Sequence, residues 1–114
     1  MTASPLDHTL AALADPTRRR AIDLLRGRPR RPTELAAALA VSAPVMSRHL
    51  RVLRIRGLVE EERADPQDSR LRTYRLRRQP FSDLHAWLDR VEAFWTVQLG
   101  AFKAHAERRK RGRT

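Results

Sequence analysis

Between Ser42 and Arg78 the apolar pattern of this chain switches from a helical to an alternating period, and the switch falls at Gly57. Ahead of it, Val45, Met46, Leu50, Val52 and Leu53 gather on one side of a helix with 3.6 residues per turn, and Pro44, Ser47, Arg48 and Arg51 gather on the other. The ends agree with the faces. Ser42 offers an N-cap hydroxyl, Pro44 lies in the first turn where a missing N–H costs nothing, and Gly57 stands where a left-handed residue ends a helix. Beyond Gly57, Leu58 to Arg63 and Leu71 to Leu76 alternate as strands do, split by the turn-rich run Ala64 to Arg70. The pattern predicts a fold that is mostly α with a small β-hairpin.

The segment before Ser42 supplies a partner helix. Pro32-Thr33-Glu34 opens a run whose Leu35, Ala36 and Leu39 form an apolar stripe, and Ala36 to Ala38 are small enough to let two helices cross closely. Two crossed helices followed by a basic hairpin make a winged helix-turn-helix, with the helix from Ser42 as its recognition helix. No acidic residue lies between Ser42 and Gly57. Arginine presents one planar fork to phosphate and to the O6/N7 edge of guanine, so this face points to double-stranded DNA. Ser42, Ala43, Pro44, Ser47, Arg48 and Arg51 are the expected contacts from the helix, and Arg70 and Arg72 those from the wing, with Asp68 placed to orient Arg70. His49 turns toward the apolar arc, where a satisfied buried histidine or a phosphate contact at the rim suits it better than base readout. A helical hairpin without a ligand, and a wing whose arginines only keep an edge soluble, account for the same residues less fully.

Two short helices lead into this motif. The first, Pro5 to Ala14, carries Leu6, Leu10 and Leu13, and the second begins at the Asp15-Pro16 cap and stops at Gly27. Arg28 to Pro32 reads as a basic linker. At the other end, residues 82–109 contain no proline and predict one helix, of roughly 40 Å at 1.5 Å per residue. Leu84, Trp87, Leu88, Val91, Phe94, Trp95, Leu99 and Phe102 recur along it at three- and four-residue intervals. So small a core cannot cover that stripe. The cheapest partner is a second copy, giving a homodimer through the N- and C-terminal helices, with Leu6 and Leu10 contributing. The same seam has room for a small apolar effector, although packing alone explains its residues.

At 114 residues one domain is expected, with a DNA-binding core over 5–80, a wing at about 58–78, a dimerisation helix over 82–109 and a solvated basic tail over 110–114. The formal charge of +11 favours a polyanion, discounted because nearly all of the basic residues are arginine, a bias that coding composition also produces. There is no cysteine, hence no disulfide framework and no thiolate metal site. No signal peptide or membrane span is legible, which suggests a cytoplasmic protein, nucleoid-associated when on DNA. Glycine-rich phosphate loops and nucleophile constellations are missing from the sequence, so neither an enzyme nor a cofactor is expected.

Taken together, Leu13 to Arg18, Thr33 to Ala36, Ser42 to Leu50, and Leu53 with Gly57 to Val59 resemble the ArsR (arsenic-repressor) family of bacterial winged-helix regulators. The likeness runs from Leu6 to about Arg109. It implies a homodimeric repressor that occupies an imperfect inverted repeat and places Ser42, Pro44, Ser47, Arg48 and His49 in or beside the major groove. The metal sites familiar in that family do not carry over. The helix before the turn lacks cysteine, and the half-site Asp83-Leu84-His85 meets Thr96 and Leu99 where further ligands belong. His8, His85 and His105 are the remaining candidates for a metal shared across a dimer. The wing tip, Asp65 to Arg70, is similar to that of MarR-type regulators, so a MarR-like regulator and a weakly specific architectural DNA binder stay open as alternatives.

Overall fold

Three of the helices start at a residue whose side chain accepts from their first free N–H groups. In the computed structural model, which describes residues 2–112, α1 (Pro5–Leu13) is closed by a capping box: Asp7 N–H donates to Ser4 Oγ at 3.2 Å and Ser4 N–H to Asp7 Oδ2 at 2.9 Å. Asp15 caps α2 (Pro16–Leu25), its Oδ1 accepting from the N–H of Thr17 and Arg18 at 2.8 and 3.1 Å. These hydrogen bonds to Arg18 and Thr17, aided by the charges of His49 and Arg18, hold the Asp15 carboxyl below its usual range despite partial desolvation. Ser42 caps α4 (Ala43–Ile55) through Val45 N–H at 3.3 Å. The chain leaves α4 through Gly57 at φ +88°, with Leu58 N–H returning to Leu53 O and Gly57 N–H to Arg54 O, the double closure that a left-handed residue permits.

Between α3 (Pro32–Leu39) and α4 the turn is made by Ala40 at φ 55°, a left-handed alanine where glycine is the easier residue. Its strain is balanced by the same double closure, Val41 N–H to Ala36 O and Ala40 N–H to Ala37 O. Of the three small residues expected at the helix crossing only Ala36 is buried, because successive residues point about 100° apart around a helix and Ala37 and Ala38 turn outward.

The hairpin pairs β1 (Val59–Arg63) with β2 (Arg72–Leu76) antiparallel, Val59 opposite Leu76 and Glu61 opposite Tyr74. A short 3-10 turn, Ser69–Leu71, precedes β2. Arg70 therefore stands outside the strand. The linker is also more than a linker. Arg30 N–H donates to Tyr74 O at 3.1 Å and Tyr74 N–H to Arg30 O at 2.8 Å, a third rung that ties the hairpin to the ground between α2 and α3. Prolines after Arg28 and Arg31 favour the extended backbone this rung needs.

The core lies under these elements: Ala12 of α1, Ala21 and Leu25 of α2, Leu35 and Ala36 of α3, Met46, Leu50 and Leu53 of α4, then Leu58, Val59 and Tyr74. On α1 the buried positions are Thr9 and Ala12, with Thr9 Oγ1 donating to Pro5 O at 3.1 Å. Of the expected leucine stripe Leu13 packs on the core, while Leu6 is half-buried and Leu10 exposed.

The final helix, α5 (Arg78–Arg111), begins four residues before Ser82. Pro80 falls in its first turn, where N–H groups have no partner in any case, so it starts the helix instead of delaying it. By its internal contacts the chain divides into two units, the first ending at Ser82 and the second beginning at Asp83. In the second unit Leu88, Phe94, Trp95, Val97, Leu99 and Phe102 are exposed, Leu84, Trp87 and Val91 half-buried, and Phe94 and Trp95 meet edge to face with centroids 6.1 Å apart. Val97, three residues after Phe94, belongs to this exposed set although it was not among the expected residues. Lys110 and Arg111 continue the helix, while Arg113 and Thr114 of the expected tail lie outside the described residues. No helix among the described residues is long and apolar enough to cross a membrane.

Candidate nucleic-acid interface

The face of α4 that is not buried presents Ser42, Ala43, Pro44, Ser47, Arg48 and Arg51, all exposed. It is the complement of Met46, Leu50 and Leu53, whose burial sets the rotation of the helix about its axis. His49 is half-buried and faces inward, its Nδ1 3.5 Å from Arg18 Nη1. Arg18 is itself held by the end of α1, donating from Nε to Ala12 O at 2.7 Å and from Nη2 to Ala11 O at 3.3 Å. A guanidinium there meets the negative end of the α1 dipole and the last free carbonyls. His49 therefore meets the N-terminal helices. A second such pair ties α1 to the far end of α4, where Arg56 Nη1 donates to His8 Nδ1 at 2.6 Å.

Beside α4, the inner face of the hairpin and the C-terminal half of the helix enclose a cleft of about 280 Å³, lined by Ser47, Arg51, Arg54, Ile55, Glu61, Arg72 and Tyr74. Arg72 sits in it with its guanidinium carbon 5.9 Å from the centre of the Tyr74 ring. Arg70 is elsewhere, at the hairpin tip, where Nε and Nη2 each donate to an Asp68 carboxylate oxygen at 3.0 Å. The expected orientation of Arg70 by Asp68 is thus present as a two-pronged pair. Its hydrogen bonds keep Asp68 below the usual carboxylate range and Arg70 above its own.

Arg54 and Glu61 are not among the expected contacts, yet both line the cleft. Arg54 follows Ser47 and Arg51 at seven and three residues, a spacing that places all three along one helix face. Nothing in the sequence foretells Glu61, because which face of β1 turns inward depends on how the hairpin packs on α4. Its carboxyl is held below the usual value by a hydrogen bond from Arg63, 2.7 Å long, with the charges of Arg72 and Arg54 adding to it against the cost of burial. Burial pushes the neighbouring Tyr74 hydroxyl above its usual value.

Among the described residues no group of three or more His, Asp or Glu side chains gathers as a metal site would require. His85 Nε2 lies 3.4 Å from Asp89 Oδ2, one turn along α5.

Residues 15–61 match the family model described as bacterial regulatory protein, arsR family. Over 96 residues the chain is 38% identical to the HTH-type transcriptional regulator Rv2034 of Mycobacterium tuberculosis, covering 84% of this chain and 83% of that protein. An ArsR-like transcriptional regulator from Rhodococcus sp. RHA1 superposes with a TM-score of 0.74 at 30% identity, covering 90% of this chain and 91% of the other. The homodimeric winged helix-turn-helix DNA-binding domain of Mb0332 from Mycobacterium bovis superposes with a TM-score of 0.61 at 26% identity, covering 78% and 79%.

Proposed function

Because the chain belongs to the arsR family of bacterial regulatory proteins, and is therefore a transcriptional regulator rather than an enzyme, we propose that it acts in the cytoplasm as a homodimeric repressor reading an inverted-repeat operator. The observation that carries this reading is the surface beside α4. A helix face without an acidic residue, bearing Ser47, Arg48 and Arg51, runs into a cleft where Arg51, Arg54 and Arg72 come together. In this reading Arg48 reaches base edges in the major groove, the cleft arginines hold the phosphate backbone beside it, and Arg70 extends the contact from the wing tip. The exposed apolar residues of α5, together with Leu6 and Leu10, are the surface of the second copy. Two-fold symmetry then sets the half-sites about one helical turn, ~34 Å, apart. The Mb0332 domain, described as homodimeric, supports the dimer by analogy.

Arg48→Ala tests the base contact. It is expected to weaken operator binding by about 1–3 kcal/mol and to relax preference at a single base position, as read by a panel of operators altered one base pair at a time. An equal loss on every sequence would make Arg48 a phosphate contact and remove it from base readout. Its side chain is exposed, so the variant keeps the fold and the result reports on DNA alone.

A further inference from the structure

The basic linker ahead of α3 is built into the wing. The Arg30–Tyr74 rung pairs it antiparallel with β2, so the step from Arg30 to Arg31 leads toward the hairpin tip, as the step from Tyr74 back to Thr73 does. Arg31 is exposed, and Pro32 after it favours the extended backbone it adopts, which fixes where its side chain starts. At the tip, the hydrogen bonds from Arg70 are the main cause that keeps the Asp68 carboxyl below its usual range, and the charge of Arg31 adds to them. One carboxylate thus faces two guanidinium groups. Asp68 is already engaged by both prongs of Arg70. Glu34, the other acidic neighbour of the linker, is held by Arg28 at 3.0 Å. Among the described residues no carboxylate forms an ion pair with Arg31. A guanidinium left without a protein anion, beside one that has its own, attracts an anion from outside, and on a DNA-binding surface that anion is phosphate.

We infer that Arg31 is a phosphate contact of the DNA complex, holding the backbone beside the wing tip while α4 reads the bases. The inference rests on the reading of α4 and the wing as the DNA surface, and extends that surface to the linker. Because the rung and Pro32 already fix the backbone, only the side chain remains to be ordered on binding, which favours the contact.

The test is fluorescence anisotropy of Arg31→Ala in the full chain, on a DNA fragment from upstream of its own gene and on a shuffled fragment, across a salt series. Loss of one phosphate contact is expected to make the slope of log affinity against log salt shallower by about 0.9 on both fragments. Arg31→Lys keeps the charge and should restore the slope. Arg90→Ala removes the same charge from α5 and should leave the slope at its wild-type value. Both positions are exposed, so none of these variants endangers the fold. Equal changes in Arg31→Ala and Arg90→Ala would reduce the effect to net charge and overturn the contact. A loss confined to the upstream fragment would overturn the phosphate assignment and make Arg31 a base contact. An unchanged slope in Arg31→Ala, with Arg48→Ala still weakening the upstream fragment, would overturn the linker contact and leave the reading of α4 intact. If Arg48→Ala and Arg51→Ala also left binding unchanged, that reading would fall with it.

Discussion

Leu53→Ala is expected to cost about 2–5 kcal/mol of folding stability, as read from the midpoint of a urea transition followed by circular dichroism. Leu53 is fully buried and contributes to two features at once. Its side chain fills the space beneath α4, and its carbonyl accepts the Leu58 N–H that turns the chain into the hairpin. Truncation removes the packing and leaves a cavity that collapses only in part, because the backbone around it is fixed by that closure. Against the ~5–15 kcal/mol typical of a domain, the loss threatens folding at growth temperature. A cost below about 1 kcal/mol would mean that α4 is not seated on the core by this residue. The prediction matters for function because the buried triplet Met46, Leu50 and Leu53 sets which way Arg48 and Arg51 point.

The second large effect is expected from Phe94→Ala/Trp95→Ala. Both rings are more than half exposed in the single chain, at 59% and 58%, and they pack edge to face on each other. Exposed aromatic surface of this size, continued by Val97, Leu99 and Phe102, exceeds what scattered surface residues supply and calls for a partner. If that partner is a second copy, removing the pair dissociates the dimer, and each half-site must then be bound alone. Losing the intramolecular second contact should lower operator affinity by about 10²–10⁴-fold. Sedimentation velocity reads the first effect and fluorescence anisotropy the second. A variant that stays dimeric and binds DNA unchanged would remove these aromatics from the interface.

What the sequence made legible was local. Caps at Ser42 and Asp15, the left-handed exit at Gly57, and the two hydrophobic periods each depend on residues within one turn or one strand of each other. The same locality misled at one point. Pro80 looks like a boundary from its neighbours, yet a first turn accepts it. At the wing tip Asp65 and Asp68 accept from the N–H of Gln67 and Arg70 at 2.9 and 3.0 Å, a short-range turn chemistry that the run of turn residues foretells. What stayed hidden was long-range. The Arg30–Tyr74 rung joins residues that no periodicity links, the inward turn of His49 depends on Arg18 being held by the end of α1, and Glu61 enters the cleft only once the hairpin has docked on α4.

Glu61 also bears on selectivity. A carboxylate among Arg51, Arg54 and Arg72 lowers the general attraction of the cleft for phosphate. A +11 chain that relied on charge alone would gain nothing from such a residue. Its presence fits a protein whose affinity depends on where the guanidinium groups are held.

The most direct test is fluorescence anisotropy of the purified protein on a DNA fragment from upstream of its own gene and on a shuffled fragment, across a salt series. The account predicts binding to the native fragment at least a thousandfold tighter at physiological salt. Equal affinities for the two fragments, falling with the same steep salt slope, would contradict it and leave a weakly specific architectural DNA binder.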